Sequence, residues 1–251
     1  MKRYGLIGYP LSHSFSSDYF SEKFFREGLN DITYDLFPLN SIENILQLVN
    51  DIKELKGLNV TIPYKQKVIP FLTSIDDIAK NIGAVNTILI ERKTDILLHG
   101  YNTDVFGFEE SLKPLLKNHH SKALILGTGG AASSVAFVLK KSGIEYIFVS
   151  RRKSCLPSII TYSDLNKEII STHNIIINAT PLGMFPEVEN APDIPYNFLT
   201  KEHILYDLIY NPSETFFIKK GKEKGASVTN GLQMLYLQAE KSWEIWNGIS
   251  I

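Results

Sequence analysis

Two polar clusters in this 251-residue chain hold residue types suited to moving a proton. In Gly57-Leu-Asn-Val-Thr-Ile-Pro-Tyr-Lys65, the β-branched run Val60-Thr61-Ile62 ends at Pro63, which has no N–H to continue a ladder. Lys65 therefore falls just past a strand end, and strand ends are where ligands bind in open α/β sheets. Asn59 and Thr61, two apart on a strand, point to one face. The second cluster, Gly100-Tyr-Asn-Thr-Asp104, follows the apolar run Ile96-Leu-Leu-His99. A lysine and an aspartate at strand ends, among amides and hydroxyls, suit proton transfer to a polyhydroxy substrate. A plainer arrangement fits the same residues: Lys65 opens a surface helix and Asp104 caps the next one.

A third segment, Gly127-Thr-Gly-Gly-Ala-Ala132, lies between the apolar run Ala123-Leu-Ile-Leu126 and a helical pattern, the context of a dinucleotide fingerprint. Gly127 allows the tight turn, Gly129 lets the backbone approach a pyrophosphate, and Gly130 and Ala131 keep the helix start small. The helix N-terminus adds unpaired N–H groups and partial positive charge. An NAD site places an acid about 20 residues further on, at the end of the next strand. Here Glu145-Tyr-Ile-Phe-Val149 runs instead into Ser150-Arg-Arg-Lys153. Guanidinium groups pair with a 2′-phosphate, so NADP is expected over NAD, the alternative being a solvated basic turn. Asn178-Ala-Thr-Pro-Leu-Gly-Met184 forms another strand-end loop, with Met184 either lying against a flat ring or filling a gap. Asp207-Leu-Ile-Tyr-Asn-Pro212 offers Tyr210 to the same crevice.

Strands alternating with helical patterns predict mainly parallel α/β sheets. The expected elements of a first group are strands at 4–8, 32–39, 58–62, 84–90 and 96–102. Its helices are expected at 14–26, at 41–52 with Ser41 as N-cap, and at 104–116. After a polar break, strands are expected at 123–126, 144–149, 174–178, 204–209 and 227–230, with helices at 131–141 and 232–246. The last helix, aromatic and near the end of the chain, is expected to return to the first group. His119 and His120 read as a solvated linker rather than a metal pair.

With 44% hydrophobic and 21% charged residues, the composition is that of a soluble globular protein with ample core material. A net charge of −1 provides no field toward nucleic acid or an anionic membrane. The opening apolar run breaks too early for a signal peptide, and no stretch nears the ~18 apolar residues of a membrane span. The single cysteine, Cys155, excludes an internal disulfide and fits a reducing compartment, so a cytoplasmic protein is expected.

Taken in order, these segments resemble the shikimate dehydrogenase family. To those quoted above are added Ser12-His-Ser-Phe-Ser16, Gly83-Ala-Val-Asn-Thr87 and Gly231-Leu-Gln-Met-Leu-Tyr-Leu-Gln-Ala239. The resemblance implies a two-domain α/β fold, with an N-terminal substrate domain (1–103, helix 232–251 packing back on it) and a Rossmann-like dinucleotide-binding domain (104–231). It implies reversible, NADP-dependent reduction of 3-dehydroshikimate to shikimate in aromatic amino-acid biosynthesis, by a monomer or homodimer. Ser14 and Ser16 would hold the substrate carboxylate; Asn59, Thr61, Asn86, Asp104 and Gln238 the ring hydroxyls; and Tyr210 would close the site. Lys65 and Asp104 would be the catalytic pair, Lys65 either shuttling the proton or mainly binding and polarising. Gly127, Gly129, Gly130, Ala131 and Thr180 would contact the cofactor, and Met184 and Gly231 would border its nicotinamide. Ser150, Arg151 and either Lys153 or Arg152 would hold the 2′-phosphate. Two departures stand out: Ser17, Phe20 and Ser21 replace the family's proline, histidine and asparagine, and Ser150-Arg151-Arg152 replaces asparagine-arginine-threonine or serine. Rival readings are an NAD-preferring quinate/shikimate dehydrogenase, a catalytically idle shikimate- or nucleotide-binding regulator, and an enzyme like methylenetetrahydrofolate dehydrogenase.

Overall fold

The first strand, β1 (Lys2–Gly8), is buried from Tyr4 onward, as its unbroken apolar run requires of a central strand covered on both faces. A computed structural model describes residues 1–11, 14–156 and 158–248. The chain divides into one unit of Met1–Thr103 together with the segment from Ala239 onward, and a second of Asp104–Gln238.

The first unit contains, after β1, α1 (Phe15–Arg26), β2 (Ile32–Pro38), α2 (Ile45–Asp51), β3 (Leu55–Val60), β4 (Ser74–Ile75), α3 (Asp77–Ile82), β5 (Thr87–Arg92) and β6 (Ile96–Tyr101). They form a six-stranded sheet in the order β2-β1-β3-β5-β6-β4. Three of its pairings are parallel, as expected, but β5 runs antiparallel to both β3 and β6. The turn 93–95 is too short for a crossover and permits only a hairpin. Ile45, Val49, Leu58, Val68 and Ile88 pack in one core of this unit, and Tyr4, Phe20, Phe24, Tyr34 and Trp246 in another. Trp246 stacks on Tyr4 at 4.8 Å and donates its indole N–H to the Ile88 carbonyl at 3.0 Å, so the chain's last helix closes the first unit's core. Aromatic pairs of this kind are worth roughly 0.5–1.5 kcal/mol beyond their buried area.

Three local expectations are corrected. The segment 41–52 opens as a 3-10 turn, Ile42–Asn44, and Ser41, though extended, makes no capping hydrogen bond with its side chain. The helix expected at 104–116 ends at Leu112, since Pro114 lacks an N–H and crowds the preceding turn, leaving a 3-10 turn at Lys113–Leu115. His120 is buried rather than solvated: its ring bonds the Lys117 N–H at 2.9 Å and the Glu202 carbonyl at 3.0 Å. Burial lowers its pKa.

The second unit holds α4 (Asp104–Leu112), β7 (Lys122–Leu126), α5 (Gly130–Lys141), β8 (Glu145–Ser150), β9 (Ile159–Thr161) and α6 (Lys167–Thr172). It continues with β10 (Ile175–Asn178), β11 (Ile204–Asp207), α7 (Phe216–Glu223), β12 (Ser227–Thr229) and the first part of α8 (Leu232–Trp246). Its sheet order is β12-β11-β10-β7-β8-β9, and every pairing is parallel. Counted in chain order, this is the doubly wound arrangement of dinucleotide-binding folds, with the order reversing between β7 and β10. The loops after β7 and β10 therefore meet at the switch point, where such folds take their ligands.

Candidate active site

In the first unit a chain of polar side chains runs from the start of α1 to the end of α8. Ser14 is the N-cap of α1, accepting from the Ser16 N–H at 3.2 Å, and its hydroxyl proton is left to donate elsewhere. Ser12 and His13 lie outside the described residues. Ser16 hydrogen-bonds the Tyr34 hydroxyl, which is buried, has its pKa pushed up by that burial, and donates to Asn59 Oδ1 at 2.8 Å. Asn59 Nδ2 then lies 3.2 Å from Thr87 Oγ1 and 3.0 Å from Ser242 Oγ. Asn86 accepts from the Thr103 N–H at 2.7 Å and donates to Thr103 Oγ1 at 3.1 Å. Low dielectric strengthens such a network and makes each broken link costly.

Thr61 lies one residue past β3, but its N–H still donates to the Ile7 carbonyl at 2.9 Å, so the ladder hydrogen bonding continues onto it. Lys65 is half-buried, and no helix starts there; turns run from it to the 3-10 turn Ile69–Phe71. Its carbonyl accepts from the Val85 N–H at 2.7 Å, which ties the segment to the loop before Asn86. Lys23, under the middle of α1, pairs with Glu240 at 2.9 Å and Glu27 at 2.8 Å, and Tyr19 also bonds Glu240. Burial lowers the Lys23 pKa, but the two carboxylates raise it further, so this ion pair anchors the helix that presents Ser14 and Ser16.

In the second unit, Asp104 is the buried first residue of α4, and Gln238 is half-buried on α8. Gly127 has φ +106°, the left-handed region open to glycine, and a Cβ there would sit 3.1 Å from Thr180 Cγ2. Gly129 and Gly130 face open space. Their bareness leaves a cradle in front of the α5 N-terminus, so the loop fits a pyrophosphate. A cavity of about 390 Å³ opens there, walled by Gly127, Gly129, Ser150, Arg151, Arg152 and Thr180. The Arg152 N–H donates to Ser150 Oγ at 3.2 Å, a turn that leaves both arginines exposed. Lys153 is not part of the wall; its charge acts on Asp164, whose carboxyl is held below its usual range chiefly by Thr161. Ala131 is exposed at the start of α5.

The loop after β10 is ordered by Asn178, whose Oδ1 accepts from Thr180 Oγ1 at 2.6 Å and the Thr180 N–H at 3.1 Å. Met184 and Tyr210 stand exposed at 49% and 38%, unlike gap-filling core residues. Gly231 abuts the Leu208 carbonyl so closely that any side chain would collide with it. Among the described residues, no group of three His, Cys, Asp or Glu side chains is placed to hold a metal, and no helix is long and apolar enough to cross a membrane.

Several polar residues escaped the reading of the sequence. Ser242 lies on the buried stripe of α8 between Ala239 and Trp246, and a serine at that spacing was the available signal. Thr87 and Thr103 each follow an asparagine at the edge of an apolar run, a repeated pair that marks the same cluster.

A family model for the shikimate dehydrogenase substrate binding domain matches residues 6–88. The NADP(+) shikimate dehydrogenase of Clostridium beijerinckii is 41% identical over 264 residues, 98% of this chain and 92% of that one. The solved shikimate dehydrogenase 1 of Peptoclostridium difficile superposes with a TM-score of 0.82 at 40% identity, covering 100% of this chain and 93% of that one. The Thermus thermophilus shikimate 5-dehydrogenase, solved with NADP(H) and shikimate, superposes at 0.84 with 28% identity, over 99% and 94% of the two chains. Likeness of this extent, on a fold that carries both the glycine cradle and the polar cluster, means that the chain belongs to the shikimate dehydrogenase family.

Proposed function

We infer that the protein catalyses the reversible, NADP-dependent reduction of 3-dehydroshikimate to shikimate, a step of aromatic amino-acid biosynthesis, in the cytoplasm. Relatives 36–41% identical over nearly the whole chain carry the name shikimate dehydrogenase (NADP(+)). The observation in this molecule that carries the reading is the end of β8, where Arg151 and Arg152 wall the cavity of the glycine loop and no acid stands. A 2′-phosphate needs that charge, and a free 2′-hydroxyl does not.

Bound NADPH supplies the hydride. The chain's residues hold and orient the substrate and move one proton. Ser14 and Ser16 bind the carboxylate, Ser16 by turning its hydroxyl proton from Tyr34 to it, and both favour it equally before and during reaction. Asn59, Thr61, Asn86 and Gln238 take the ring hydroxyls, and Tyr210 closes the site. As the carbonyl carbon gains the hydride, its oxygen gains negative charge, and Lys65 Nζ delivers a proton to it, with Asp104 as the second member of the pair. Gly127, Gly129, Gly130 and Ala131 would receive the pyrophosphate, Ser150, Arg151 and, of the two residues that follow, Arg152 rather than Lys153 the 2′-phosphate, and Thr180, Met184 and Gly231 the nicotinamide side. The first unit is thus the substrate domain and the second the NADP domain.

The test is NADPH formation, followed by absorbance, on adding shikimate and NADP+ to the pure protein. Parallel assays use quinate, and NAD+. Turnover with shikimate and NADP+ well above the other pairings is expected. Its absence, or a preference for quinate with NAD+, would refute the assignment.

A further inference from the structure

We propose that Asp207 is a positioning residue for hydride transfer, its buried carboxylate holding the loop of Thr180 and Met184 in register with the loop of Tyr210. Asp207 ends β11 and is fully buried, after the apolar residues Ile204-Leu205-Tyr206. Among the described residues it forms no ion pair, so its charge is met by hydrogen bonds alone. Its Oδ1 accepts from Asn178 Nδ2 at 3.0 Å and from the Ile209 N–H at 3.0 Å. Its Oδ2 accepts from Thr215 Oγ1 at 2.6 Å.

A buried carboxylate without a cation is a poor way to add stability, since a neutral or apolar group of similar size does as well or better. What it does here is set direction. A carboxylate only accepts, so the Asn178 amide must turn its NH2 toward Asp207 and its oxygen the other way. That oxygen receives both the N–H and the hydroxyl of Thr180. Flipped, the amide would face the Thr180 N–H with its own donors and lose those bonds. The Thr180 hydroxyl, held so, accepts from the Leu182 N–H at 3.2 Å and shapes the approach to Met184. On the other side, the carboxylate fixes Ile209, whose carbonyl accepts from Gly231 at 3.1 Å and whose neighbour is Tyr210. The Asn178 NH2 also reaches the Leu182 carbonyl at 3.3 Å, so Asp207 sets, together with that carbonyl, the loops that bear Thr180, Met184, Tyr210 and Gly231.

This role rests on the functional reading above, in which those residues face cofactor and substrate. Displacement of such groups by about 1 Å can cost on the order of 10²-fold in rate. The experiment compares full-length wild type with Asp207→Ala, Asp207→Asn and Asn178→Ala. NADPH-binding sites are counted by fluorescence titration, and kcat is expressed per binding site with saturating NADP+ and shikimate. Asp207→Ala and Asn178→Ala should each lower that kcat about 10- to 100-fold, because a mispositioned site still binds cofactor. Asp207→Asn, which keeps an acceptor for Asn178 and Ile209, should recover most of the loss. Unchanged kcat per site, the mark of a mere loss of folded molecules, would overturn the proposal. So would an Asp207→Asn variant as slow as Asp207→Ala. If Asp207→Ala does not fold, Asn178→Ala, with the carboxylate in place, decides alone. A wild type that makes no NADPH overturns the functional reading itself, and this role with it.

Discussion

The Asn59 amide donates to the Ser242 hydroxyl at 3.0 Å across 183 positions of chain, so the last helix walls the polar cluster at the end of β3. Ser242 Oγ also lies 2.8 Å from Thr87 Oγ1, and both residues are wholly buried. Ser242→Ala should therefore remove one partner each of the Asn59 amide and the Thr87 hydroxyl, which keep Thr87 Oγ1 and Asn86 Oδ1 respectively. A loss of about 0.5–1.5 kcal/mol in unfolding free energy is expected, the usual net worth of a hydrogen bond. Urea unfolding followed by Trp fluorescence measures it, since both tryptophans, Trp243 and Trp246, pack in the first unit. A change below about 0.5 kcal/mol would mean the cluster is held without the hydroxyl.

Lys65→Ala should lower kcat by a factor on the order of 10² or more, as expected for loss of a group that moves a proton. The shikimate KM should change little, because the ring has several other partners. Steady-state kinetics with NADP+ check this, and near-normal turnover would remove Lys65 from the proton transfer.

Arg151 walls the cavity and is exposed, so its effect should depend on the cofactor and on salt. Arg151→Ala should weaken NADP+ binding by about 1.5–3 kcal/mol and leave NAD+ binding nearly unchanged. The difference should shrink at high ionic strength as screening grows. Titrations of both cofactors at two salt concentrations suffice; equal losses for the two would assign Arg151 to the fold or the pyrophosphate.

Asp207 also predicts a pH dependence of stability. Burial pushes its pKa up from 3.8 to about 6, with the bonds from Thr215, Ile209 and Asn178 offsetting part of that rise. The folded state thus favours the protonated form, a contribution fully present below the unfolded pKa and lost as pH rises through about 6. Asp207→Asn removes the titration. Its stability relative to wild type should grow between about pH 4 and pH 6, by on the order of 2–3 kcal/mol, and level off above. Circular dichroism in urea is the suitable probe, because the tryptophans report on the other unit. A flat difference across this range would contradict the prediction.

How much of this could be read beforehand follows from the range of the interactions. The glycine loop, the strands on either side of it and the arginines after β8 are local patterns, and α8 begins and ends where its apolar spacing does, Leu232–Trp246. The direction of β5 was not, since apolar runs carry no sign of orientation and only the shortness of turn 93–95 decides it. Burial of His120 depends on the carbonyl of Glu202, 82 positions on, and the Asn59, Thr87 and Ser242 cluster on contacts longer still. Elements of one or two turns, such as α3 and α6, are too short to show a period. Local caps, Asp76 to Ala79 and Asn166 to Ile169, mark them instead.

The return of α8 to the first unit also orders events during synthesis. The strands of the second unit, from Lys122 to Thr229, have all been synthesised before Trp246 is added. Tyr4, Phe20 and Tyr34, made before the second unit, must wait for Ala239, Ile245 and Trp246 to cover them. The unit begun first is completed last, and its aromatic surface stays open to chaperones, or to other nascent chains, throughout.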